Sequence, residues 1–289
     1  MSLAYRRSLL LALVVVALAA TMAIAQEQTR VEWQSQWRKM QPFEYVTAAV
    51  LGGSAVVIQF FVDSRTSGPY GGVLFDDVVR DSLRAETRSG RNTAKLIADW
   101  GYRAMLVVPY LDLAITYAIH GNSEVAWQML LFDLEAQAVA GFLGIATNHF
   151  VGRARPSTEP CKLDPTYEDF CYRGSYSSFM SGHTVMAAAG AGVTCAHHLA
   201  MPLYGGGAGD IAACAATSAA AVAVGVSRIV NDRHWATDVV TGWLVGAAVG
   251  YLWPRLFHYR SAPDAGAPTY TIIPTVTPES YSASLLVFN

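Results

Sequence analysis

Three short motifs in the second half of the chain carry residue types that could hold a tetrahedral oxyanion and attack its central atom. They are Arg155-Pro156, Ser181-Gly182-His183, and Ser227-Arg228 followed by His234 and Asp238. Arginine offers a planar fork of donors that suits the oxygens of a phosphate. Histidine serves as a nucleophile or as a general acid and base. Together, these residues predict phosphoryl chemistry.

The Ser181-Gly182-His183 motif immediately precedes an apolar stretch that predicts a helix. A helix N-terminus presents free backbone N–H groups and the positive end of the helix dipole, and a glycine there lets an anion approach the backbone closely. Taken alone, the motif is more simply an ordinary serine N-cap beside an incidental histidine.

His234 and Asp238 are four residues apart, so on a helix they share one face and can touch. The carboxylate would then fix the tautomer of the ring and leave its other nitrogen free to react. Taken alone, the pair is more simply an ion pair at a helix start. Arg153 is a further candidate for a phosphate contact, although each loop arginine could instead be a solvated charge.

Six apolar stretches rich in Ala, Leu and Val predict helices. They cover residues 45–62, 96–119, 125–150, 184–204, 211–230 and 238–257. Several could span a bilayer, and the charged residues in the second and third would have to face the interior of the bundle. We therefore expect an all-α, membrane-associated six-helix bundle. A shorter amphipathic helix around residues 74–83 would cover the domain or lie on a membrane surface.

The composition is 53% hydrophobic and 15% charged with a net charge of -2, so nothing suggests a nucleic-acid partner. Residues 1–25 predict a signal peptide, because two arginines precede an apolar core and an Ala-x-Ala cleavage site. An uncleaved anchor helix is the alternative. Residues 26–260 then form one domain, and residues 261–289 form an extended tail.

The four cysteines fall into two kinds of surroundings. Cys161 and Cys171 flank a polar loop, and in an exported protein they are a plausible disulfide. Cys195 and Cys214 lie in Ala-rich apolar segments, where buried free thiols are expected.

At these motifs the chain resembles the type 2 phosphatidic acid phosphatase (PAP2)/vanadium haloperoxidase superfamily. The family pattern is Lys, six residues and Arg-Pro; then Pro-Ser-Gly-His; then Ser-Arg, five residues, His, three residues and Asp. The third motif matches fully from Ser227 to Asp238. The second lacks only its proline, which is Met180 here, and the first has Asn148 in place of its lysine. The resemblance covers roughly residues 45–257.

The resemblance implies a role for each matching residue. His234 would be the nucleophile that forms a phosphohistidine, Asp238 would orient it, and His183 would protonate the leaving oxygen and later activate water. The phosphate-binding set would be Arg155, Arg228, Ser181 and the Gly182 amide, with Asn148 and Arg153 as further candidates. Neither a metal nor a cofactor would be required. Because one oxyanion donor is worth a few kcal/mol, the missing lysine at position 148 could attenuate the enzyme.

The expected substrate is a phosphomonoester or diphosphate, most naturally of a lipid, because the helices are apolar on most faces. Three alternatives stay open: a soluble periplasmic acid phosphatase with broad substrates, a vanadate-dependent haloperoxidase, and an attenuated phosphate-binding homologue.

The predicted location is the cell envelope, either the inner membrane with an extracytoplasmic active site or the periplasm. Six spans counted from an exported N-terminus would put Arg155 in the cytoplasm, and the cationic loops favour the same side. The cysteine pair favours an oxidising side. The conflict is resolved if the mature protein does not span the membrane, or if residues 1–25 and 45–62 are not both membrane segments.

Overall fold

A computed structural model of the protein describes residues 31–169, 171, 174–260, 269–277 and 280–288. The predicted signal peptide, residues 1–25, lies outside the described residues. The six predicted apolar stretches are all helical, so the all-α bundle is confirmed. The helices are α1 (Pro42–Phe61), α2 (Asp76–Leu83), α3 (Arg88–His120), α4 (Ser123–Phe150), α5 (Thr158–Leu163), α6 (Gly182–Ala200), α7 (Ala208–Val230), α8 (Ala236–Ala247) and α9 (Trp253–Phe257). A π-helical turn, Ala248–Leu252, joins α8 to α9.

Helix α6 is the centre of the bundle and packs against α3, α4, α7 and α8. Its small residues let neighbouring backbones come close, as interfaces between apolar helices require. A Cβ added at Gly190 would lie 2.4 Å from the carbonyl oxygen of Met105 on α3. A Cβ added at Gly246 of α8 would lie equally close to the carbonyl oxygen of Val185 on α6.

Helices α3 and α4 form an antiparallel hairpin with well-defined ends. Gly121 ends α3 in the left-handed region at φ 64°, a conformation that glycine adopts without strain. Asn122 then caps α4 by accepting hydrogen bonds from the backbone N–H groups of Glu124 and Val125. The hairpin holds two long helices against α6.

Both cysteine pairs form disulfides. The predicted bridge Cys161–Cys171 is present and closes the loop that follows α5. The expectation of free thiols at the other pair was wrong, because Cys195 of α6 is bonded to Cys214 of α7. Their apolar surroundings indicated burial correctly, but the sequence could not show that the two helices bring these cysteines within 4.4 Å, Cα to Cα.

Four helices are long and apolar enough to cross a membrane: α1, α3, α4 and α7. Their outer faces carry large apolar side chains in contact with solvent, among them Phe60, Trp100 and Ile211. Apolar helices with bare apolar faces need a lipid environment, so the protein is a membrane protein. Helices α6 and α8 complete the bundle between these four.

The predicted amphipathic helix is α2, at the end of the bundle where α3 begins. Val79 packs inward against the cluster around Ile229, whereas Val78 faces outward. The tail that was expected to be extended contains two antiparallel strands, β1 (Thr269–Thr277) and β2 (Ser280–Phe288), with Thr269 opposite Phe288. This pair adds a small β-structure after the helical domain.

Candidate active site

One cavity of about 530 Å³ collects the central residues of all three motifs. It lies at the end of the bundle where α1, α4 and α7 finish and where α3 and α6 begin. Its polar wall is formed by Arg155, Arg228, His183, His234, Gly182, Asn148, Ser177 and Gly174. The fold therefore brings together four charged or titratable side chains, as the motifs predict. They come from two loops and two helices.

In the part of the chain that the structure describes, neither arginine in the cavity wall has a hydrogen-bonded carboxylate, although Arg228 is buried and Arg155 is half-buried. Among the described residues, Arg155 has no ion pair within 4 Å, and its guanidinium donates to the carbonyl oxygen of Ser177 at 3.3 Å. Burial and the nearby charges of Arg233 and Arg228 lower the pKa of Arg155. Such a cluster of desolvated cations is stabilised by an anion.

Arg228 has the same character. Its nearest ion-pair partner is Asp99, at 3.8 Å, and its buried Nε has no hydrogen-bond partner among the described residues. A buried unsatisfied donor is unusual in a native structure and marks a place where a ligand or water completes the bonding. A phosphate oxygen would satisfy it.

His234 is 3% exposed and held by one ring nitrogen. Its Nδ1 donates to the carbonyl oxygen of Ser178 at 2.7 Å, which leaves the lone pair of Nε2 for the cavity. Burial, followed by the charges of Arg228 and Arg155, lowers the pKa of His234 well below its usual value of 6.5. The lowered pKa favours the neutral ring, whose free Nε2 lone pair could attack an electrophile.

His183 faces His234 from the first turn of α6. Its Nε2 lies 3.0 Å from Oδ1 of Asp99 on α3, and its ring packs against Tyr102 with centroids 4.6 Å apart. These two contacts fix the position of the imidazole at the cavity wall. Its side chain is half-buried, which suits a group that exchanges protons with substrate and water.

Asp238 does not contact His234 in the predicted way. Its Oδ2 is 4.0 Å from His234 Nδ1 and instead accepts hydrogen bonds from the Ser178 hydroxyl and the Trp235 backbone N–H. The carboxylate thus holds Ser178, whose carbonyl oxygen holds His234. The four-residue spacing was correct, but the helix begins at Ala236, so the histidine lies in the loop before it.

Arg153 does not line the cavity, which differs from the predicted phosphate contact. Its guanidinium is bound by Asp238 at 2.6 Å and by Asp76 at the start of α2 at 2.7 Å. It also donates to the Thr237 hydroxyl. Arg153 therefore ties α2 to the start of α8, and its charge is already neutralised.

Ser181 and Asn148 are also placed differently from the prediction. The Ser181 hydroxyl is fully buried and accepts a hydrogen bond from the Thr184 hydroxyl, so it lies outside the cavity wall. Asn148 lines the cavity, but both its N–H groups are used, one on the carbonyl oxygen of Gly144 and one on that of Met180. The asparagine fastens the loop before Gly182 to α4 and offers no spare N–H to a phosphate.

Two residues near the reacting groups were not predicted as part of the site. Asp99 and Tyr102 both come from α3, far upstream of the three motifs. The available signal was the rule that a charge in an apolar helix must face the bundle interior. That rule placed Asp99 inside, but it did not say which partner the carboxylate would meet.

Another part of the cavity lining is apolar. We call it the apolar wall; it comprises Gly141 and Ile145 of α4, Met186 of α6 and Tyr102 of α3. A cavity that is lined both by cations and histidines and by apolar side chains suits an amphiphilic phosphate. The fold and site thus define a membrane-embedded helical bundle with an oxyanion pocket of arginine and histidine.

Residues 130–262 match the PAP2 superfamily, which confirms the resemblance inferred from the motifs and includes all three of them. The chain is 34% identical over 136 residues to a lipid A 1-phosphatase of Porphyromonas gingivalis. That alignment covers 47% of this chain and 25% of the relative, so the chain spans about a quarter of the length of the curated relative that it matches.

Among solved structures, the chain is similar to a transmembrane PAP2-type phosphatidylglycerolphosphate phosphatase from Bacillus subtilis. The two chains share 18% sequence identity with a TM-score of 0.47, and the comparison covers 73% of this chain and 92% of the other.

Proposed function

We propose that the protein is a metal-independent phosphatase that hydrolyses phosphomonoesters or diphosphates of lipids through a phosphohistidine on His234. The observation that carries this proposal is the cavity in which Arg155, Arg228, His183 and His234 meet while, among the described residues, neither arginine has a hydrogen-bonded carboxylate. Preorganised cations that are not closely paired suit the charge of a transferring phosphoryl group.

The first step forms a bond from His234 Nε2 to phosphorus and breaks the bond from phosphorus to the leaving oxygen. Arg155, Arg228 and the Gly182 N–H at the start of α6 hold the other oxygens, where the negative charge is concentrated. His183 gives its proton to the leaving oxygen. Water then attacks phosphorus as His183 takes a proton from it, the P–N bond breaks, and phosphate leaves.

The first test is phosphate release by the purified protein in detergent, with EDTA present, from a panel of lipid phosphates and a chromogenic aryl phosphate. We expect turnover by the wild type and none by His234→Ala. Vanadate, which resembles the transition state, should inhibit. Turnover that disappears with EDTA, or that persists in His234→Ala with an unchanged melting temperature, would contradict the mechanism.

The apolar wall of the cavity and the sequence similarity to a lipid A 1-phosphatase support a lipid substrate. Gly141→Leu would fill this wall, because a Cβ at Gly141 already contacts Met186. We expect a lower kcat/KM for lipid phosphates and little change for the aryl ester. Gly53→Leu is the matched control, since a Cβ at this helical glycine of α1 meets no atom within 4 Å. Equal losses on both substrates would remove the support for a lipid.

The Cys161–Cys171 disulfide, which lies beside the cavity, supports an active site on the oxidising, extracytoplasmic side of the membrane. All four cysteines are bonded, so an introduced cysteine would be the one thiol available for labelling. Leu163→Cys places it on α5, beside the active site, and Ser123→Cys places it at the opposite end of the bundle. In intact cells a membrane-impermeant maleimide should label the first and spare the second; the reverse pattern would place the site in the cytoplasm.

A further inference from the structure

The carboxylate of Asp99 connects three charged groups at the edge of the cavity. Its Oδ1 lies 3.0 Å from His183 Nε2 and 3.8 Å from Arg228 Nη1, and its Oδ2 accepts a hydrogen bond from Lys95 at 2.5 Å. Asp99 belongs to α3, so it lies outside residues 130–262 and outside the three motifs. The contact therefore reaches across 84 positions of sequence to a residue of the proposed reaction.

This placement matters because His183 stands among cations. To act as an acid, His183 must carry a second proton close to Arg228 and Arg155, and like charges disfavour that state. Asp99 is the carboxylate hydrogen-bonded to the ring, and it offsets this repulsion. The hydrogen bond also fixes a proton on Nε2, so Nδ1 is the nitrogen left to serve the leaving oxygen.

The contact is more than a surface pair. Lys95 and Asp99, four residues apart on α3, would by themselves contribute little. Asp99, however, also bonds a ring on α6 through its other carboxylate oxygen, and Tyr102 of α3 packs against the same ring. Two side chains from one turn of α3 thus set both the position and the hydrogen bonding of His183.

We propose that Asp99 is a positioning residue that orients His183 and favours its protonated form for leaving-group departure, and that Lys95 holds Asp99 in place. The inference rests on the proposed phosphatase function. It adds a residue of α3 to the proposed reaction, whereas all three motifs lie in the later half of the chain.

The test compares two substrates with different demands for an acid. An aryl oxide leaves without much help, whereas the alkoxide of a lipid needs a proton. In Asp99→Asn we expect kcat for a dioctanoyl lipid phosphate to fall about 100-fold, the lower end of typical general-acid contributions, and kcat for 4-nitrophenyl phosphate to fall less than about fivefold. KM should change little for either substrate, because Asp99 does not touch the phosphate.

The matched control is Asp112→Asn. Asp112 lies on the same helix, is buried, and also approaches a histidine nitrogen at 3.0 Å, that of His198 at the opposite end of the bundle. This variant should lower the melting temperature and leave the ratio of the two kcat values unchanged. Equal loss on both substrates in Asp99→Asn, or no loss on either, would show that Asp99 is merely structural.

Two further measurements separate a failure of the Asp99 proposal from a failure of the proposed phosphatase function. If Asp99→Asn does not fold, Lys95→Gln removes the ammonium that holds the carboxylate, and we expect the same ratio to change about threefold to tenfold, a fraction of the general-acid contribution. An unchanged ratio in Lys95→Gln would then overturn the proposal. Inactivity of the wild type on both substrates would instead contradict the phosphatase function itself.

Discussion

The two ends of this bundle each contain a pair of histidines, and the two pairs have opposite surroundings. At the catalytic end, His183 and His234 face a cavity beside two arginines. At the other end, His197 and His198 are fully packed among carboxylates and tyrosine hydroxyls. We call that second group the distal cluster; it comprises His197, His198, Asp112, Asp133, Asp210, Tyr204 and Tyr259.

The difference lies in which ring nitrogens are free. In the distal cluster, His198 contacts Asp210 at 2.6 Å and Asp112 at 3.0 Å, so both its nitrogens are occupied. His197 is occupied in the same way by Tyr259 and Asp133. His234, in contrast, uses Nδ1 alone and turns Nε2 toward an open cavity. A histidine whose two nitrogens are both bonded within the protein is structural, whereas a histidine with a free nitrogen beside loosely paired arginines suits an anion.

The largest expected effect is on the stability of the distal cluster. Asp133→Ala would leave His197 buried without its carboxylate, and removing one partner of a buried pair typically costs about 3–5 kcal/mol. We expect a large drop in the free energy of unfolding, measured by denaturation in detergent, and an unchanged kcat of the folded fraction. Asp169→Ala breaks the exposed pair with Arg88 and should cost at most about 1 kcal/mol. A strong loss of kcat in Asp133→Ala would contradict the inference that the distal cluster is purely structural.

Arg228→Ala should show the opposite pattern. Losing one donor to a phosphoryl oxygen lowers kcat by about 10²–10³-fold, which corresponds to about 2.7–4 kcal/mol. Stability should be unchanged or higher, because the variant removes a buried cation that lies near two other arginines and whose nearest carboxylate, that of Asp99, is 3.8 Å away. The measurement pairs kcat with a thermal melt. A destabilised variant with normal kcat would mean that Arg228 is structural.

The two disulfides should differ in the same way: one should affect stability alone, and the other should also affect turnover. Replacing Cys195 and Cys214 with alanine opens a 19-residue connection, and we expect a loss of about 2–4 kcal/mol in the free energy of unfolding with normal turnover. The Cys161–Cys171 bridge closes a loop beside the site, since Thr158 of the same region donates to Ser175 and Arg155 bonds Ser177. Its removal should lower kcat/KM as well as stability. Equal effects of both pairs on kcat/KM would contradict this division.

The sequence was informative wherever a local pattern decides the structure. Apolar composition decides the six helices, and fixed spacing places His183, His234, Arg155 and Arg228 at one end of them. These inferences depend on residues close together in the chain, or on the shared direction of helices in a bundle.

The errors concern contacts between distant segments. Arg153 carries the charge expected of a phosphate ligand, but Asp76 on α2 and Asp238 on α8 occupy it first. Cys195 and Cys214 looked like isolated thiols because nothing local shows that α6 and α7 are adjacent there. Asp99 could be placed inside the bundle, but its partner depends on the register of α3 against α6. Pairing across elements is a tertiary property that a single sequence does not carry.

Asn148 tests whether contacts between distant segments outweigh what a local motif predicts. The family lysine at this position suggests that Asn148→Lys would restore a phosphate contact and raise activity. The structure predicts otherwise, because the asparagine amide already bonds the carbonyl oxygens of Gly144 and Met180. We expect no gain in kcat and a loss of about 1–3 kcal/mol in the free energy of unfolding, since buried carbonyl groups lose their partner. Asn148→Asp, which also lacks the amide donors, is the control; a clear gain in kcat in the lysine variant alone would show that the natural site is attenuated.

The smallest expected effect is a shift in the pH dependence of turnover. In the proposed mechanism neutral His234 is the nucleophile, and burial with the nearby arginines lowers its pKa below 6.5. Activity should therefore persist as the pH falls through 6.5, and the acid limb of kcat/KM for the aryl ester should lie below that value. Arg155→Gln removes one positive charge, so the pKa of His234 rises and the acid limb moves upward, by about half a unit at the effective dielectric of a partly buried site. Arg38→Gln, at the opposite end of the bundle, should leave the limb in place. An acid limb at or above pH 6.5 in the wild type would mean that solvent reaches His234 and screens it from the arginines.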